Sequence, residues 1–596
     1  MRLRHLPKVL RAAFPILKRA VASGQIVRPH CELVPPDPNV LCEYGVPVPI
    51  SDGVTLTANV FRPRRAAEKG EAVPIVMCAH PYDNRLTGHQ GKTPLGGPPQ
   101  QYRLIPQAGR PRFSTLTSWE SPDPNFWVRS GYAVVNVNLP GYGGSGGPPS
   151  VFSDHQSRAY YEAIEWAAAR PWSTGKVGLN GVSFLAITQY HVAACQHYGG
   201  PPPSLRCISP WEGLSDMYRD VLCPGGVAET GFPDFWWYTE VLPALSGGEA
   251  EFLESEGAAP IDFLAEHPLF DDFWAEKAAK VEEIELPMLI CASFSDHGLH
   301  SAGSFRAFTR AKSRHKWVYT HRYGKWDTYY SDEVQALTRD FMDCFLKEGT
   351  SNGFLDRPPV RLEVRLSRDV VHDVREVSEW PPADARPHRL FLAPGTSVLE
   401  TAAAAKTGEL AYDGLQGSCV VRYTFPEPVE VIGTMVLVLH VEVRSRPGDD
   451  TPDDMALFVV AEKMGRDGQP VRFYGSVGHD NDVLSKGYLR VSRRALDERR
   501  SKPGQPELRL DSEQKLSPGE IVPVTIAMDP HATFFASGES LQIEIAGREL
   551  VEHPVYRKAS EGHPGTHVIH MGGDYASHLE ILLTASTEKP RSGPQT

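Results

Sequence analysis

Short apolar segments alternate with stretches of helical pattern through the first part of the chain, up to Gly353. These segments are apolar throughout, which is typical of strands covered on both faces by helices. The clearest helical stretch is Gln156–Arg170, with Asp154 as the expected N-cap and Pro171 after it. The pattern predicts an α/β domain with a mostly parallel sheet. The predicted strands are Pro74–Ala79, Ala133–Asn138, Val177–Asn180, Cys207–Ser209, Met288–Ser293 and Trp317–Thr320.

Two further regions depart from this pattern. Between Asp216 and Lys280 the sequence is helical and rich in aromatic residues, and because it interrupts the strand series we predict a helical cap inserted over the sheet. A separate helical core without a role in substrate binding is the alternative. From Val360 to Leu583 short alternating runs are punctuated by Pro and Gly, which predicts an all-β sandwich of the jelly-roll type.

The length of 596 residues requires several packed units, since a single core rarely exceeds about 250–300 residues. The predicted units are a basic N-terminal arm (1–42), the first part of the α/β core (43–215), the cap (216–282), the second part of the core (283–352), the β-sandwich (358–588) and a disordered tail (589–596).

Composition argues against several classes of protein. The net charge of −12 argues against nucleic acid or an anionic membrane as the main partner. The 9 cysteines are dispersed, which is typical of reduced thiols rather than of a disulfide framework. The N-terminal arm lacks the uncharged stretch of a signal peptide and is expected to be either an amphipathic helix against a partner subunit or a solvated tail. We expect a cytoplasmic protein with a small-molecule substrate and no cofactor, and a homo-oligomer is left open.

The segment Lys176–Ala186 has the pattern of a buried strand, a tight turn and a helix, with Ser183 at the turn. A serine on such a turn presents its hydroxyl above the sheet edge, and Gly181 lets the backbone turn sharply. The usual glycine two residues after the serine is replaced by Leu185. On these residues alone, a nucleophile and a structural capping serine are both open.

The order of candidate residues along the chain favours a nucleophile. In an α/β-hydrolase the serine is followed by an acid and then by a histidine, each after a later strand. Asp296 and His321 each follow a predicted strand, whereas His315 precedes one. The histidine takes the proton of the serine, and the carboxylate orients the ring. We therefore predict a catalytic triad of Ser183, Asp296 and His321.

Two other patterns point to cofactors and are weaker. Gly141–Gly146 matches the dinucleotide-binding Gly-x-Gly-x-x-Gly, but two prolines follow soon after the last glycine, where a helix has to begin. Asp296, His297 and His300 suggest metal ligands, yet no further ligand lies at a diagnostic spacing. We predict neither a nucleotide cofactor nor a metal.

Motifs that resemble one family are spread over most of the chain. They are Val48–Pro63, Pro81-Tyr82-Asp83, Glu165-Trp166, Pro171–Gly178, Gly181-Val182-Ser183, Ser215–Asp220, Gly225-Gly226, Gly487–Arg490, Leu516–Glu520 and Gly538. Together they resemble the cocaine esterase and Xaa-Pro dipeptidyl-peptidase-like (CocE/NonD) family of α/β-hydrolases. The combination is specific, although no single motif is.

The resemblance implies an α/β-hydrolase core with an inserted helical cap and a C-terminal jelly roll. It implies Ser183 as nucleophile, Asp296 as acid and His321 as base. It also implies an oxyanion hole formed by the Tyr82 hydroxyl and the Phe184 N–H. The Gly-Pro-Trp-x-His pattern usual around the family's base is replaced here, so that His321 is assigned by its strand position.

We predict hydrolysis of a carboxylic ester, or of an amide, through an acyl-enzyme. The residues predicted to contact substrate are Trp211, Phe235, Trp236 and Leu299, although such residues also serve as core. No long N-terminal helical domain like that of bacterial Xaa-Pro dipeptidyl peptidases is expected, which favours ester or amide hydrolysis over the peptidase activity. Xaa-Pro peptidase, α-amino acid ester hydrolase or acylase activity, acyl transfer on the same triad, and a non-enzymatic binding role are the alternatives.

Overall fold

The computed structural model describes residues 6–89, 97–195, 198–446, 451–559 and 562–586. Its first ten strands are β1 (Glu32–Val34), β2 (Val40–Pro49), β3 (Thr55–Pro63), β4 (Val73–His80), β5 (Arg112–Ser114), β6 (Ala133–Asn138), β7 (Ser173–Val182), β8 (Leu205–Trp211), β9 (Met288–Cys291) and β10 (Lys316–Tyr319).

The α-helices are α1 (Leu6–Ala22), α2 (Arg64–Lys69), α3 (Gln101–Leu104), α4 (Pro124–Arg129), α5 (Asp154–Ala168), α6 (Phe184–Ala193), α7 (Phe232–Trp236), α8 (Leu242–Ala244), α9 (Glu249–Glu256), α10 (Phe263–Glu266), α11 (Asp272–Glu276), α12 (Ser301–Arg310), α13 (Lys325–Tyr329) and α14 (Asp332–Leu346). Short 3₁₀ or π turns are Tyr218–Leu222, Pro224–Gly226, Trp237–Val241, Val281–Glu283, Phe354–Asp356, Ser476–Gly478 and Val491–Arg493.

The later strands are β11 (Val360–Arg365), β12 (Val371–Val377), β13 (Arg386–Leu392), β14 (Leu399–Glu400), β15 (Gly408–Asp413), β16 (Ser418–Thr424), β17 (Val429–Gly433), β18 (Val436–Arg444), β19 (Ala456–Met464), β20 (Pro470–Val471), β21 (Phe473–Gly475), β22 (His479–Asp482), β23 (Ser485–Arg490), β24 (Val522–Ala527), β25 (His531–Phe535), β26 (Ser540–Ala546), β27 (Thr566–Met571) and β28 (His578–Ala585).

The core sheet has the strand order β2-β3-β6-β4-β7-β8-β9-β10-β11. All pairs from β6 to β11 are parallel, so the carboxyl ends of β7, β8, β9 and β10 meet at one edge. Every residue of β6 and β9 is buried, as expected for strands covered on both faces. The predicted α/β core is confirmed.

Element ends differ from the prediction by a few residues. The N-cap of α5 is Ser153 rather than Asp154, because the backbone of Ser153 is extended and its hydroxyl accepts a hydrogen bond from the Gln156 N–H. Asp154 is then the first helical residue, where a negative side chain is favoured by the helix dipole.

The segment between β8 and β9 contains α7 to α11 and covers the carboxyl edge of the sheet. The Trp236 ring stacks on Phe184, the first residue of α6, with centroids 6.0 Å apart. Phe252, Phe263 and Trp274 are buried within the insertion. The predicted helical cap is therefore confirmed as part of the fold.

The C-terminal region is an all-β sandwich. One antiparallel sheet contains β16, β26, β19 and β23. The other contains β24, β18, β27 and β15, with β28 pairing β13, β17 and β18. Inward side chains of both sheets, such as Leu437, Leu439, Val459, Ile543 and Ile545, are fully buried and form one core. This confirms the predicted β domain.

The N-terminal arm packs on its own chain. Within α1, Ile16 and Ala20 are buried, and the Gln25 amide after the helix donates to the carbonyls of Tyr102 and Ile105. Within the described ranges no helix combines the length and the apolar character needed to cross a bilayer. The predicted disordered tail, 589–596, lies outside the described residues, and the predicted domain boundaries stay predictions.

Candidate active site

Ser183 stands at a sharp turn between a strand and a helix. β7 ends at Val182 and α6 begins at Phe184, so the serine alone connects them. Its φ of 58° and ψ of −118° lie where non-glycine residues are rarely found. Gly181 is needed before the turn, because a Cβ there would lie 2.6 Å from the Cβ of Leu185. The turn has the geometry of a nucleophile elbow.

The Ser183 hydroxyl is hydrogen-bonded to a histidine that is itself bonded to a carboxylate. Nε2 of His300 lies 3.2 Å from the Ser183 Oγ, and Nδ1 lies 2.5 Å from Oδ2 of Asp296. The His300 N–H donates to the Asp296 carbonyl, which closes a turn that contains Gly298 at a φ of 75° and brings the two side chains together. Asp296 and His300 are only 1% and 2% exposed. The three side chains form a continuous line from a buried carboxylate to a partly accessible hydroxyl.

Asp296 has two further partners. The Lys325 Nζ lies 2.8 Å from Oδ2, and the Ser476 hydroxyl, from the C-terminal β domain, donates to Oδ1. Although burial opposes it, Lys325 and His300 hold the pKa of Asp296 well below its usual value. Burial, and then the charge of Lys325, lower the pKa of His300. The carboxylate is therefore ionised and the imidazole neutral at neutral pH, the charge states that a general base requires.

The structure places one member of the predicted triad, His321, away from the serine. The ring of His321 is turned to Glu212, whose Oε1 lies 2.8 Å from Nε2. The Tyr323 N–H donates to Nδ1 at 3.2 Å, so we assign the ring proton of the neutral imidazole to Nε2, where it points at Glu212. In this arrangement neither ring nitrogen is free to accept the proton of Ser183, whose hydroxyl contacts His300 instead.

The position of β10 in the sheet explains this difference. β8 and β9 separate β10 from β7, and neighbouring strands are about 4.8 Å apart, which puts the ends of β7 and β10 roughly 14 Å apart. His321 follows Tyr319, the last residue of β10, by two positions, which is too short a connection to return to the serine. The longer turn after β9 carries His300 back to it.

Tyr82 and Phe184 lie side by side at the serine turn. Their rings meet edge to face with centroids 6.0 Å apart, and Tyr82 is 5% exposed. Burial raises the pKa of the Tyr82 hydroxyl well above its usual value. The hydroxyl therefore keeps its proton and can serve as a hydrogen-bond donor. Phe184 is the first residue of α6, where helix N–H groups have no acceptor within the helix.

The predicted substrate-contacting residues occupy different places. Trp236 stacks on Phe184 beside the serine, and Phe235 is buried next to it in α7. Leu299 lies between Asp296 and His300 and is 6% exposed. The Trp211 carbonyl accepts the Ser183 N–H, while its ring stacks on His321 at 6.1 Å. A role in substrate binding stays a prediction for all four.

Two buried carboxyl groups face the same region. The Trp326 indole donates to Oε1 of Glu120, and Oε2 has no hydrogen-bond partner among the described residues. Burial raises the pKa of Glu120 well above its usual value and that of Glu240 to about 8. Both carboxyl groups interact electrostatically with Tyr82. The raised pKa values favour the uncharged form of both carboxyl groups.

Strained backbone is concentrated around the site. Non-glycine residues with positive φ in the described ranges include Asp83, Glu120, Ser183, Glu212 and Val477. Asp83 follows Tyr82 and Val477 follows Ser476, so each of the five is at, or next to, a residue described above. Such conformations cost about 1–3 kcal/mol each and persist where the surroundings over-determine them.

Glu212, Cys291 and His321 are close enough together for metal binding to be considered, since their ligand atoms lie within 4.8 Å of one another. Burial, and then the neighbouring charge of Glu212, raise the pKa of the Cys291 thiol well above its usual value. The thiol is therefore protonated and a poor ligand. The His321 proton already points at Glu212, so these residues suit a hydrogen-bonded cluster rather than a metal ion.

Several residues of the site were missed from the sequence. From the sequence, His300 is considered only as a metal ligand, because no motif marks it as the base. Glu212 follows β8 at the carboxyl edge, and the same edge rule would have selected it. Lys325 and Ser476 reach Asp296 from distant parts of the chain, and no local pattern marks them.

Comparisons with known proteins agree with this architecture. The X-Pro dipeptidyl-peptidase (S15 family) profile matches residues 52–327, and the X-Pro dipeptidyl-peptidase C-terminal non-catalytic domain profile matches residues 352–580. The structure of a CocE/NonD family hydrolase from Staphylococcus aureus is 35% identical, with a TM-score of 0.82, over 91% of this chain and 94% of that one.

More distant relatives share the fold or part of the sequence. Cocaine esterase from Rhodococcus sp. (strain MB1 Bresler) is 24% identical over 469 residues, 70% of this chain and 72% of that protein. An aminopeptidase from the marine sediment archaeon Thaumarchaeota archaeon has a TM-score of 0.64 at 16% identity, over 91% of this chain and 96% of that one.

The sheet order, the serine turn and the inserted cap define an α/β-hydrolase with a C-terminal β domain. The chain belongs to the CocE/NonD family of hydrolases, whose members resemble X-Pro dipeptidyl-peptidases.

Proposed function

We propose that this hydrolase cleaves carboxylic esters through an acyl-enzyme formed on Ser183, with His300 as general base and Asp296 as the acid that orients it. The observation that carries the proposal is the line of two hydrogen bonds, 3.2 Å from Ser183 to His300 and 2.5 Å from His300 to Asp296. Relatives named as esterases, such as the cocaine esterase of Rhodococcus, support the reaction class.

In the first half of the reaction, Nε2 of His300 takes the hydroxyl proton while the Ser183 Oγ attacks the ester carbonyl carbon. The Phe184 N–H and the Tyr82 hydroxyl donate to the oxyanion, each contributing about 3–4 kcal/mol. The tetrahedral intermediate collapses, the carbon–oxygen bond to the alcohol breaks, and His300 returns its proton to the leaving alcohol. Asp296 stabilises the transient imidazolium.

In the second half, water takes the place of the alcohol. His300 removes a proton from the water as it attacks the acyl carbon, and the same donors bind the second oxyanion. Collapse breaks the bond to Ser183, which regains the proton from His300, and the carboxylic acid leaves. Acyl transfer would differ only in that another nucleophile replaces the water.

The buried carboxyl groups favour an ester over a Xaa-Pro peptide. A dipeptidyl peptidase binds the substrate's ammonium group, which requires a negative partner. Glu120 and Glu240 are buried and both interact electrostatically with Tyr82, and burial raises the pKa of Glu120 well above its usual value and that of Glu240 to about 8. Binding a cation to either group would first require the free energy of ionising it, whereas an uncharged ester has no such requirement.

We predict that short aryl esters such as p-nitrophenyl acetate have a kcat/KM at least about tenfold higher than Ala-Pro p-nitroanilide at pH 7. The reason is the raised pKa of Glu120 and Glu240 described above. Release of p-nitrophenol and p-nitroaniline, followed by absorbance, measures both reactions. Ser183→Ala, purified alongside, shows how much turnover is independent of the site. A higher kcat/KM for the arylamide would contradict the ester proposal.

A further inference from the structure

We infer that Lys325 is a positioning residue for catalysis, acting as the cation that bridges two buried carboxylates, Asp296 and Glu212, and so sets the charge beside His300. This inference rests on the proposed function. It also gives His321 a different role from the one expected, since His321 holds Glu212 in place. Lys325 does not contact the reacting atoms and acts through its neighbours.

The position of Lys325 is defined by two carboxyl groups. Its Nζ lies 2.8 Å from Oδ2 of Asp296 and 3.8 Å from Oε2 of Glu212. It also lies 2.9 Å from Nδ1 of His300, which is not a hydrogen bond because the Nδ1 proton is donated to Asp296. The residue opens α13, directly after Gly324, and is 9% exposed. A lysine ammonium is almost never buried without anionic partners, and here the partners come from the ends of two neighbouring strands.

Glu212 is held from two sides. His321 Nε2 donates to Oε1, and Oε2 faces Lys325. With a φ of 49° and an exposure of 1%, Glu212 is strained and buried. The connected chain of groups runs from His321 through Glu212 and Lys325 to Asp296, and from there to His300 and Ser183.

The charges around Lys325 affect the pKa of His300, the proposed general base. Lys325 lies 2.8 Å from Asp296 and 3.8 Å from Glu212, so its positive charge offsets part of the negative charge of Asp296 beside His300. Lys325 lowers the pKa of His300, whereas Asp296 and Glu212 raise it. Removing Lys325 or Glu212 therefore changes the pKa of the base in opposite directions.

Other titratable groups interact with Lys325 and Asp296, and we expect them to be the same in the wild type and in the Lys325 and Glu212 variants. The groups that interact electrostatically with Lys325, or with Asp296 beside it, are Glu120, Glu240, Tyr556 and Cys291. Burial raises the pKa of each of these four, so they are mainly uncharged near pH 7.

The test is the pH profile of kcat/KM for p-nitrophenyl acetate. Activity requires neutral His300, so the acidic limb of the profile reports its pKa. We expect Lys325→Met to move this limb up by about 1 pH unit and Glu212→Gln to move it down by a similar amount. The double variant is expected near the wild-type position, and Lys325→Arg close to it as well. Lys312→Met, which removes an exposed lysine paired with Glu283, is the matched control and leaves the limb unchanged.

If the two substitutions only disturbed packing, activity would fall at every pH, and the acidic limb would not move in opposite directions in Lys325→Met and Glu212→Gln. Unchanged limbs, or shifts of the same sign, in folded Lys325→Met and Glu212→Gln overturn the inference. If Lys325→Met does not fold, Glu212→Gln decides alone, since its amide oxygen still accepts from His321: a downward shift supports the inference and no shift overturns it. His300→Gln tests the proposed function separately from the role of Lys325, because full activity of this variant would overturn the proposed function itself.

Discussion

Replacing His300 by glutamine is expected to lower kcat/KM for an aryl ester by about 10³–10⁴-fold, because glutamine cannot take a proton from Ser183. The substitution keeps a polar side chain of similar length in a buried place, 2% exposed. Its loss of activity is thus assigned to the missing base rather than to a cavity. Steady-state kinetics on the purified variant, with a thermal melt to show that it is folded, provide the measurement.

His321→Gln is the matched comparison. His321 contacts Glu212 and the Tyr323 N–H rather than the serine. The interaction that reaches Lys325 and Asp296 is the hydrogen bond to Glu212, and its loss, about 1 kcal/mol, corresponds to roughly a fivefold change in rate. We therefore expect His300→Gln and His321→Gln to differ in kcat/KM by at least about 100-fold. A large loss in His321→Gln with near wild-type activity in His300→Gln would reverse the assignment of the base.

Asp296→Asn is expected to lower kcat by about 10³–10⁴-fold and to destabilise the fold as well. An asparagine cannot stabilise the imidazolium of His300, and it offers a different hydrogen-bonding partner to Nδ1. The substitution also leaves Lys325 buried without its partner at 2.8 Å, a change that costs about 3 kcal/mol in the free energy of unfolding. Both losses are measured on the same sample, by ester hydrolysis and by urea unfolding.

Asp454→Asn separates these two effects. Asp454 is a buried carboxylate of the C-terminal domain, 3% exposed, that pairs with Arg490 at 2.8 Å. Its replacement is expected to reduce stability comparably while kcat stays within about twofold of the wild type. If Asp296→Asn loses stability but keeps its activity, Asp296 is a structural carboxylate and the proposed acid is refuted.

The fold could be read from the sequence because its signals are local. An apolar run such as Met288–Ser293 predicts a strand that is buried on both faces. The alternating apolar and polar residues after Val360 predict strands with one buried face, as in a β-sandwich. The N-cap of α5 moved by one residue because Ser153 and Asp154 are both good caps, and only the backbone conformation decides between them.

The site was harder to predict than the fold. Ser183 and Asp296 follow from the rule that functional groups lie at the carboxyl edge of a parallel sheet. The same rule selected His321, but it cannot tell how far a loop folds back, and the turn after β9 brings His300 closer to the serine. Ser476 and Lys325 approach Asp296 from elements far away in sequence, so that only the folded chain reveals them.

Ser183 is proposed as a nucleophile that His300 activates. The most direct test is labelling by a fluorophosphonate, with the modified peptide located by mass spectrometry in the wild type and in the Ser183→Ala, His300→Gln and His321→Gln variants. We expect one label on Ser183 in the wild type and none in Ser183→Ala. We further expect labelling slowed by about 10³-fold or more in His300→Gln and only a few-fold in His321→Gln. Labelling that survives Ser183→Ala, or that is lost with His321 and kept without His300, would contradict the proposal.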